Sequence, residues 1–253
     1  MIKLTLIGIG TGSPDHVTRQ ASAAINDADL ILIPLKGAEK SDLAGLRREI
    51  CTRELSTETP PKIVEFQLPV RDEKTPDYRQ RVDDWHDAIS AEWENHIRAH
   101  VGENGNVALL VWGDPSLYDS TLRIAERVGR RLPVETRVIP GITALQVLCA
   151  AHAIPLNEIG APVVITTGRQ LDNAGWPDAA DVVAVMLDSG SVYRPETGAE
   201  NIDVWWGAYL GMQEQMLLSG PLSELADKIE ATRKTARQSH GWIMDTYLMK
   251  RRK

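Results

Sequence analysis

Three short segments carry the residue types best suited to holding or converting a small molecule. The first, Gly8-Ile9-Gly10-Thr11-Gly12-Ser13-Pro14-Asp15-His16, ends an apolar run that starts at Ile2. Glycines at a strand end let a ligand or a second backbone come close, and a helix that follows offers unpaired N–H groups. The second, Trp112-Gly113-Asp114-Pro115-Ser116-Leu117-Tyr118, ends the apolar run 106–111. The third, Val138-Ile139-Pro140-Gly141-Ile142-Thr143-Ala144, pairs a strand end with a threonine placed to open a helix. Ligands of open α/β sheets gather at the carboxyl ends of strands. Asp114, Asp15, His16 and Tyr118 are the acid–base candidates among these segments, and an imidazole titrates nearest to neutral pH.

A dinucleotide-binding fingerprint would need Gly or Ala at position 13, where Ser13 stands, and Pro14 interrupts the turn. No acidic residue follows the second strand, which runs into Pro34-Leu35-Lys36. An NAD(P)-dependent oxidoreductase is therefore the weaker alternative.

The elements that must position these segments alternate. Apolar runs predict strands at 2–9, 29–34, 62–68, 106–111 and 134–138. Between them, helices are predicted after Asp15 or Thr18, over 41–52, over 77–100 and over 118–131. In the long 77–100 segment Val82, Trp85, Ile89, Trp93 and Ile97 recur every three or four residues. Such alternation implies parallel strands with crossover helices. Past Ile139 the pattern changes: a helix over 143–151, strands at 162–166, 182–187, 204–209 and 215–218, a capped helix opening at Ser219–Glu224, and a last strand between Trp242 and Met249. The expectation is an α/β protein of two domains, 1–138 and 139–253, with 189–201 as a polar loop.

A net charge of −7 argues against nucleic acid as partner, since the basic run is confined to Lys250-Arg251-Arg252-Lys253. It also means that an anionic substrate needs a local cluster of cations to receive it. Cys51 and Cys149 stand far apart and outline neither a disulfide framework nor a metal site. With no leader pattern and no apolar run long enough to span a membrane, the expectation is a soluble cytoplasmic protein.

In this order and spacing the segments resemble those of the tetrapyrrole methylase family, which has a glycine–proline loop, a Gly-Asp-Pro-x-x-Tyr motif and a Pro-Gly-Ile-Thr-Ala motif. Tyr209-Leu210-Gly211-Met212 and Leu218-Ser219-Gly220-Pro221-Leu222 extend the likeness, which covers about residues 2–230. The Gly-Ile-Gly-Thr-Gly-Ser-Pro-Asp-His loop, the long helix with Trp85 and Trp93, and the segment Trp206–Met212 are most similar to the deacetylating members that serve aerobic cobalamin synthesis.

The resemblance implies two α/β domains with S-adenosyl-L-methionine in the cleft between them, and S-adenosyl-L-homocysteine as product. The implied cofactor contacts are Trp112, Gly113, Asp114, Leu117, Thr143, Ala144, Met186, and Ala208 or Leu210. Substrate is expected against Gly10, Thr11, Gly12 and Asp15, with Arg169 and Arg194 meeting its carboxylates. The implied reaction is methylation of precorrin-5 at carbon 1 with loss of acetate; a member acting on precorrin-2 or precorrin-4 is the alternative. No metal is implied. Relatives are homodimers, for which Trp205 and Trp206 are candidate interface residues.

Overall fold

Leu30-Ile31-Leu32-Ile33 contains no polar residue, and a strand covered on both faces needs none. All four side chains are fully buried in the computed structural model, which describes residues 1–35, 41–56, 58–72, 74–188, 191–195 and 198–252. Lys36, Lys253 and four positions of the polar stretch (189, 190, 196 and 197) lie outside the described residues. The chain divides into two compact units, Met1–Ile142 and Thr143–Lys253.

The first unit is a five-stranded, wholly parallel sheet of β1 (Ile2–Gly8), β2 (Leu30–Leu35), β3 (Lys62–Gln67), β4 (Gly105–Val111) and β5 (Val134–Ile139). Their order across the sheet is β3-β2-β4-β1-β5. Side chains alternate between its faces. Ile7, Ile31, Ile33, Ala108 and Leu110 pack under α1 (Arg19–Asn26) and α2 (Ser41–Glu54). Leu4, Leu6, Leu30, Leu32, Leu109 and Val111 pack under α3 (Tyr78–His100) and α4 (Thr121–Gly129).

Local chemistry sets the ends of these helices. Thr18 caps α1 by accepting from Ala21 N at 3.1 Å, after a separate 3-10 turn at Pro14–His16. Asp77 caps α3 through Arg79 N and Gln80 N, and Ile89, Trp93 and Ile97 form its buried stripe. The helix predicted from 118 starts three residues later. Tyr118 takes φ +50°, which no right-handed helix accepts, and the Asp119 carboxylate receives Thr121 N at the true start.

The second unit holds β6 (Val163–Thr167), β7 (Val182–Met186), β8 (Ile202–Ala208), β9 (Met216–Pro221) and β10 (Asp245–Arg251), in the order β6-β7-β10-β8-β9. Only β6 and β7 pair in parallel. Helices α5 (Ala144–His152), α6 (Gly168–Ala174) and α7 (Leu222–His240) complete it. The capped helix expected from Ser219 is corrected: Ser219 and Gly220 pair with Trp205 and Val204 in β9, and α7 starts at Leu222 with no side-chain cap. Trp206 is likewise no interface residue. It is fully buried, and its Nε1–H donates to Asp245 Oδ2 at 2.6 Å.

That carboxylate belongs to a buried charge network. Arg233 donates through Nε to Asp245 Oδ2 at 2.6 Å and through Nη2 to Asp188 Oδ2 at 3.2 Å. Tyr247 donates its hydroxyl to the same Asp188 oxygen at 2.8 Å. Burial pushes the Asp245 carboxyl up, with Arg233 opposing. Replacing Arg233 by Met is therefore expected to cost about 3–5 kcal/mol, the penalty for stranding a buried partner charge, measured by urea unfolding.

His86 lies on α3 with both ring nitrogens buried and unpartnered among the described residues. Burial, then the charges of Arg127, Arg123 and Arg71 against Asp83, hold its pKa below the ordinary 6.5. The unfolded chain thus takes up a proton first as pH falls through about 6.5, and folded stability drops with it. A His86→Phe variant should show a shallower loss of stability between about pH 7 and pH 5 in denaturation curves.

Candidate active site

The carboxyl ends of β1, β4 and β5 meet at three glycines. A Cβ placed on Gly141 would lie 2.1 Å from the Gly113 carbonyl oxygen and 2.7 Å from Gly8 Cα. Gly8 has no more room, with Gly141 N 2.5 Å from its own would-be Cβ. Only bare backbone fits there. Beyond Gly8 the chain forms a short antiparallel bridge, Gly113 N donating to Gly10 O at 2.8 Å and Gly10 N to Gly113 O at 3.3 Å.

Asp114 ties this junction together. Its Oδ2 accepts from Gly141 N at 2.8 Å, and its Oδ1 from Ser116 N at 2.8 Å and from the Ser116 hydroxyl. Burial pushes the carboxyl up, but the bonds from Ser116 and Gly141 outweigh it and hold the pKa below the usual range. A carboxylate so occupied is a poor proton acceptor. Its geometry gives Asp114 the work of fixing the loops, not of a base.

The glycine loop holds two buried polar atoms without a hydrogen-bond partner among the described residues, Thr11 Oγ1 and His16 Nδ1. Unsatisfied buried groups are costly, so they mark places where a ligand or water completes the bonding. His16 packs on Gly10, where a Cβ would meet His16 Cβ at 2.4 Å, so position 10 must be glycine. Burial lowers the His16 pKa, with Asp15 partly opposing, so the ring is neutral at pH 7. Asp15 itself is exposed and ion-paired to Arg53. Gly12 is buried beside Thr11, Leu117 is half-buried, and Trp112 packs partly on the α1–α2 face. Tyr118 is 43% exposed, and burial of its ring raises its pKa.

In the second unit, β6, β7 and β8 run the same way and end at one sheet edge, beside Asp245 at the start of β10. Met186 closes β7 there, half-buried, and Arg169 lies exposed at the start of α6. Leu187 and Tyr209, the next residues after β7 and β8, take φ +54° and +49°. Such backbone persists only where surroundings enforce it. Tyr209 is held by its own hydroxyl on Trp242 O at 2.5 Å, whereas Leu187 is 65% exposed.

The side chains of Ala208 and Leu210 are buried, Leu210 folded over Gly207, so any ligand there meets their main chain. Thr143 caps α5, its N–H and hydroxyl both donating to Gln146 Oε1, with Ala144 beside it at the helix start. Arg194 is set apart from this edge: its Nη2 bonds Asp227 and Glu230 on α7, each at 2.8 Å, so its charge is already matched by two carboxylates. Among the described residues no cluster of three or more His, Cys, Asp or Glu stands ready for a metal ion.

Sequence reasoning passed over Ser116, Gly8 and Gly141 as working parts, although all three lie inside the motifs. It also passed over Arg47 on α2, half-buried among apolar residues, whose Nε donates to Leu110 O at 2.9 Å. The signal for Arg47 was faint: one arginine in a helix rich in them.

Comparison with known proteins agrees with this architecture. The family profile "Tetrapyrrole (Corrin/Porphyrin) Methylases" matches residues 3–226. A curated relative from Sinorhizobium sp., precorrin-6A synthase [deacetylating], is 47% identical over 253 residues, covering 99% of this chain and 96% of its own. The crystal structure of a cobalamin synthesis related protein (CobF) from Corynebacterium diphtheriae superposes with TM-score 0.83 at 37% identity, covering 100% of both chains. A uroporphyrin-III C-methyl transferase from Thermus thermophilus, solved with S-adenosyl homocysteine, has the same fold at TM-score 0.57 and 17% identity, covering 98% of this chain and 97% of that one.

The three glycines make separable predictions. Gly113→Ala has open space but φ +66°, and should cost about 1–2 kcal/mol. Gly141→Ala drives a methyl into a carbonyl oxygen and should cost at least about 3 kcal/mol, or prevent folding. Thermal and urea unfolding of both variants, side by side, measures the difference.

Proposed function

This chain belongs to the tetrapyrrole (corrin/porphyrin) methylase family, and on that premise we propose that it is an S-adenosyl-L-methionine-dependent precorrin-6A synthase of cobalamin biosynthesis. It methylates precorrin-5 at carbon 1 and releases the acetyl group as acetate. The observation that carries this is the 47% identity to the deacetylating relative along 99% of the chain. The glycine–aspartate junction, where only backbone fits, supports it physically. On the same reading the protein works in the cytoplasm as a homodimer and takes no nucleic acid or membrane as partner.

Methyl transfer is an in-line displacement. The electron-rich ring carbon attacks the sulfonium methyl, the carbon–sulfur bond breaks, and its electron pair stays on sulfur in S-adenosyl-L-homocysteine. The protein contributes proximity and alignment. Main-chain groups of Gly113 and the start of α5 at Thr143 and Ala144 are assigned to the cofactor, with Trp112, Leu117, Met186 and the main chain of Ala208 and Leu210. Thr11 in the glycine loop, with Gly10 and Gly12, faces substrate, and Arg169 meets its carboxylates.

Deacetylation adds water to the acetyl carbonyl. The bond from that carbon to the ring breaks, the electron pair goes to the macrocycle, and acetate departs with a proton. His16 is assigned as the base: it is neutral at pH 7 and its Nδ1 has no hydrogen-bond partner among the described residues. Tyr118 is the second candidate for moving that proton. Asp114, with both oxygens bonded, serves as scaffold.

Incubation of the pure protein with precorrin-5 and S-adenosyl-L-methionine should yield a methylated product and one acetate per turnover. A protein that binds NADP but not S-adenosyl-L-homocysteine in calorimetry would sink the proposal. His16→Gln should retain S-adenosyl-L-homocysteine binding and lose acetate formation by about 100-fold or more, with the methylated, still acetylated ring accumulating in the mass spectrum. In the unmodified enzyme, acetate formation should fall as pH drops through the lowered His16 pKa, because protonation removes the base.

A further inference from the structure

In the first unit's sheet, the chain leaves the carboxyl end of β2 through α2 toward β3, on one side. From the carboxyl end of β4 it leaves through α4 toward β5, on the other side. The connections diverge between β2 and β4, and a crevice opens where connections diverge. The strand register shows the two strands parting at this end. Pairing of β2 with β4 stops at Leu32↔Leu109, although β2 continues to Leu35 and β4 to Val111.

Arg47 occupies that opening. Its Nε donates to Leu110 O, a carbonyl just beyond the last β4 residue that pairs with β2, at 2.9 Å, and its Nη1 donates to Leu43 O at 3.1 Å. Both acceptors are neutral. Among the described residues Nη2 makes no hydrogen bond and the guanidinium forms no ion pair; the charge nearest in effect is Asp119, in the loop after β4. Burial brings its pKa down only to about 10, so the group stays charged at pH 7. A desolvated cation bonded, among the described residues, to neutral carbonyls alone is suited to receive an anion. Arg194 and Arg233 stand in contrast, each holding two carboxylates.

We propose that the crevice between β2 and β4 is a carboxylate-binding site in which Arg47, through Nη2, receives a carboxylate side arm of the tetrapyrrole substrate. This rests on the tetrapyrrole reading above and extends it to a residue that no motif marks. It meets the need set by a net charge of −7, which repels a polycarboxylate everywhere except at local cations. Asp119 sets the strength of the site by partly offsetting the guanidinium.

The test is equilibrium binding of uroporphyrin III, a stable octacarboxylate tetrapyrrole, and of its uncharged octaamide, to the full-length chain. Fluorescence titration should show Arg47→Gln binding uroporphyrin about tenfold or more weakly than the unmodified protein, and Arg47→Lys falling between them. The octaamide should bind both alike, and S-adenosyl-L-homocysteine affinity should stay within about twofold. Asp119→Asn keeps the acceptor for Thr121 N but removes the opposing charge, so it should bind uroporphyrin several-fold more tightly. If Arg47→Gln fails to fold, Arg47→Lys and Asp119→Asn still decide. Uroporphyrin affinity unchanged in the Arg47 variants, or not raised in Asp119→Asn, overturns the site while leaving the tetrapyrrole reading intact. Failure of the unmodified protein to bind uroporphyrin at all removes both.

Discussion

At the carboxyl ends of β1, β4 and β5, main chain packs on main chain with no side chain between, and a single carboxylate holds the contact. Gly8, Gly113 and Gly141 approach so closely that one added methyl at either Gly8 or Gly141 would overlap a backbone atom. Asp114 reaches from the β4 loop to the amide of Gly141 and, on its other oxygen, to Ser116. The loops after three strands are thus locked as one body. Thr11 and His16 inherit their positions from that lock through the Gly10–Gly113 bridge. The junction also holds Gly141 within the first unit, which extends to Ile142.

Much of this was legible in the amino-acid sequence because the apolar periodicities are strong. Leu30–Ile33 admits no solvent-facing residue, and the Ile89, Trp93, Ile97 stripe fits no period but that of a helix. The errors fell where tertiary contacts override local propensity. Tyr118 looks like a helix start, yet its left-handed backbone forbids one. Ser219-Gly220-Pro221 looks like a cap, yet it serves as strand because β8 offers it a hydrogen-bonding edge. Trp206 looks available for an interface until Asp245 is seen accepting its indole N–H in the core.

For the candidate site, the motifs pointed to the right loops but not to the roles within them. Asp114 drew notice as an acid–base group because of its type; its occupied oxygens are a property of the fold alone. Arg194 drew notice as a cation, but two acids on α7, more than thirty positions onward, had already claimed it. Arg47 escaped notice for the converse reason. Nothing in its neighbours reveals that helix α2 lays it against an unpaired carbonyl of β4. Pairing state is a three-dimensional quantity, and one sequence does not record it.

The second sheet's strand order has a consequence for synthesis. Its central strand, β10, is the last of the ten in chain order and separates β7 from β8. Until Asp245–Arg251 has been made, β6–β7 and β8–β9 can pair only as two separate ribbons, each with an open edge where β10 belongs. Open apolar edges invite pairing with other chains. In the first unit β4 likewise joins β2 to β1, and that sheet is complete once β5 has emerged. The second sheet therefore cannot close before its central strand is made, and the hazard of misassociation is greatest until then.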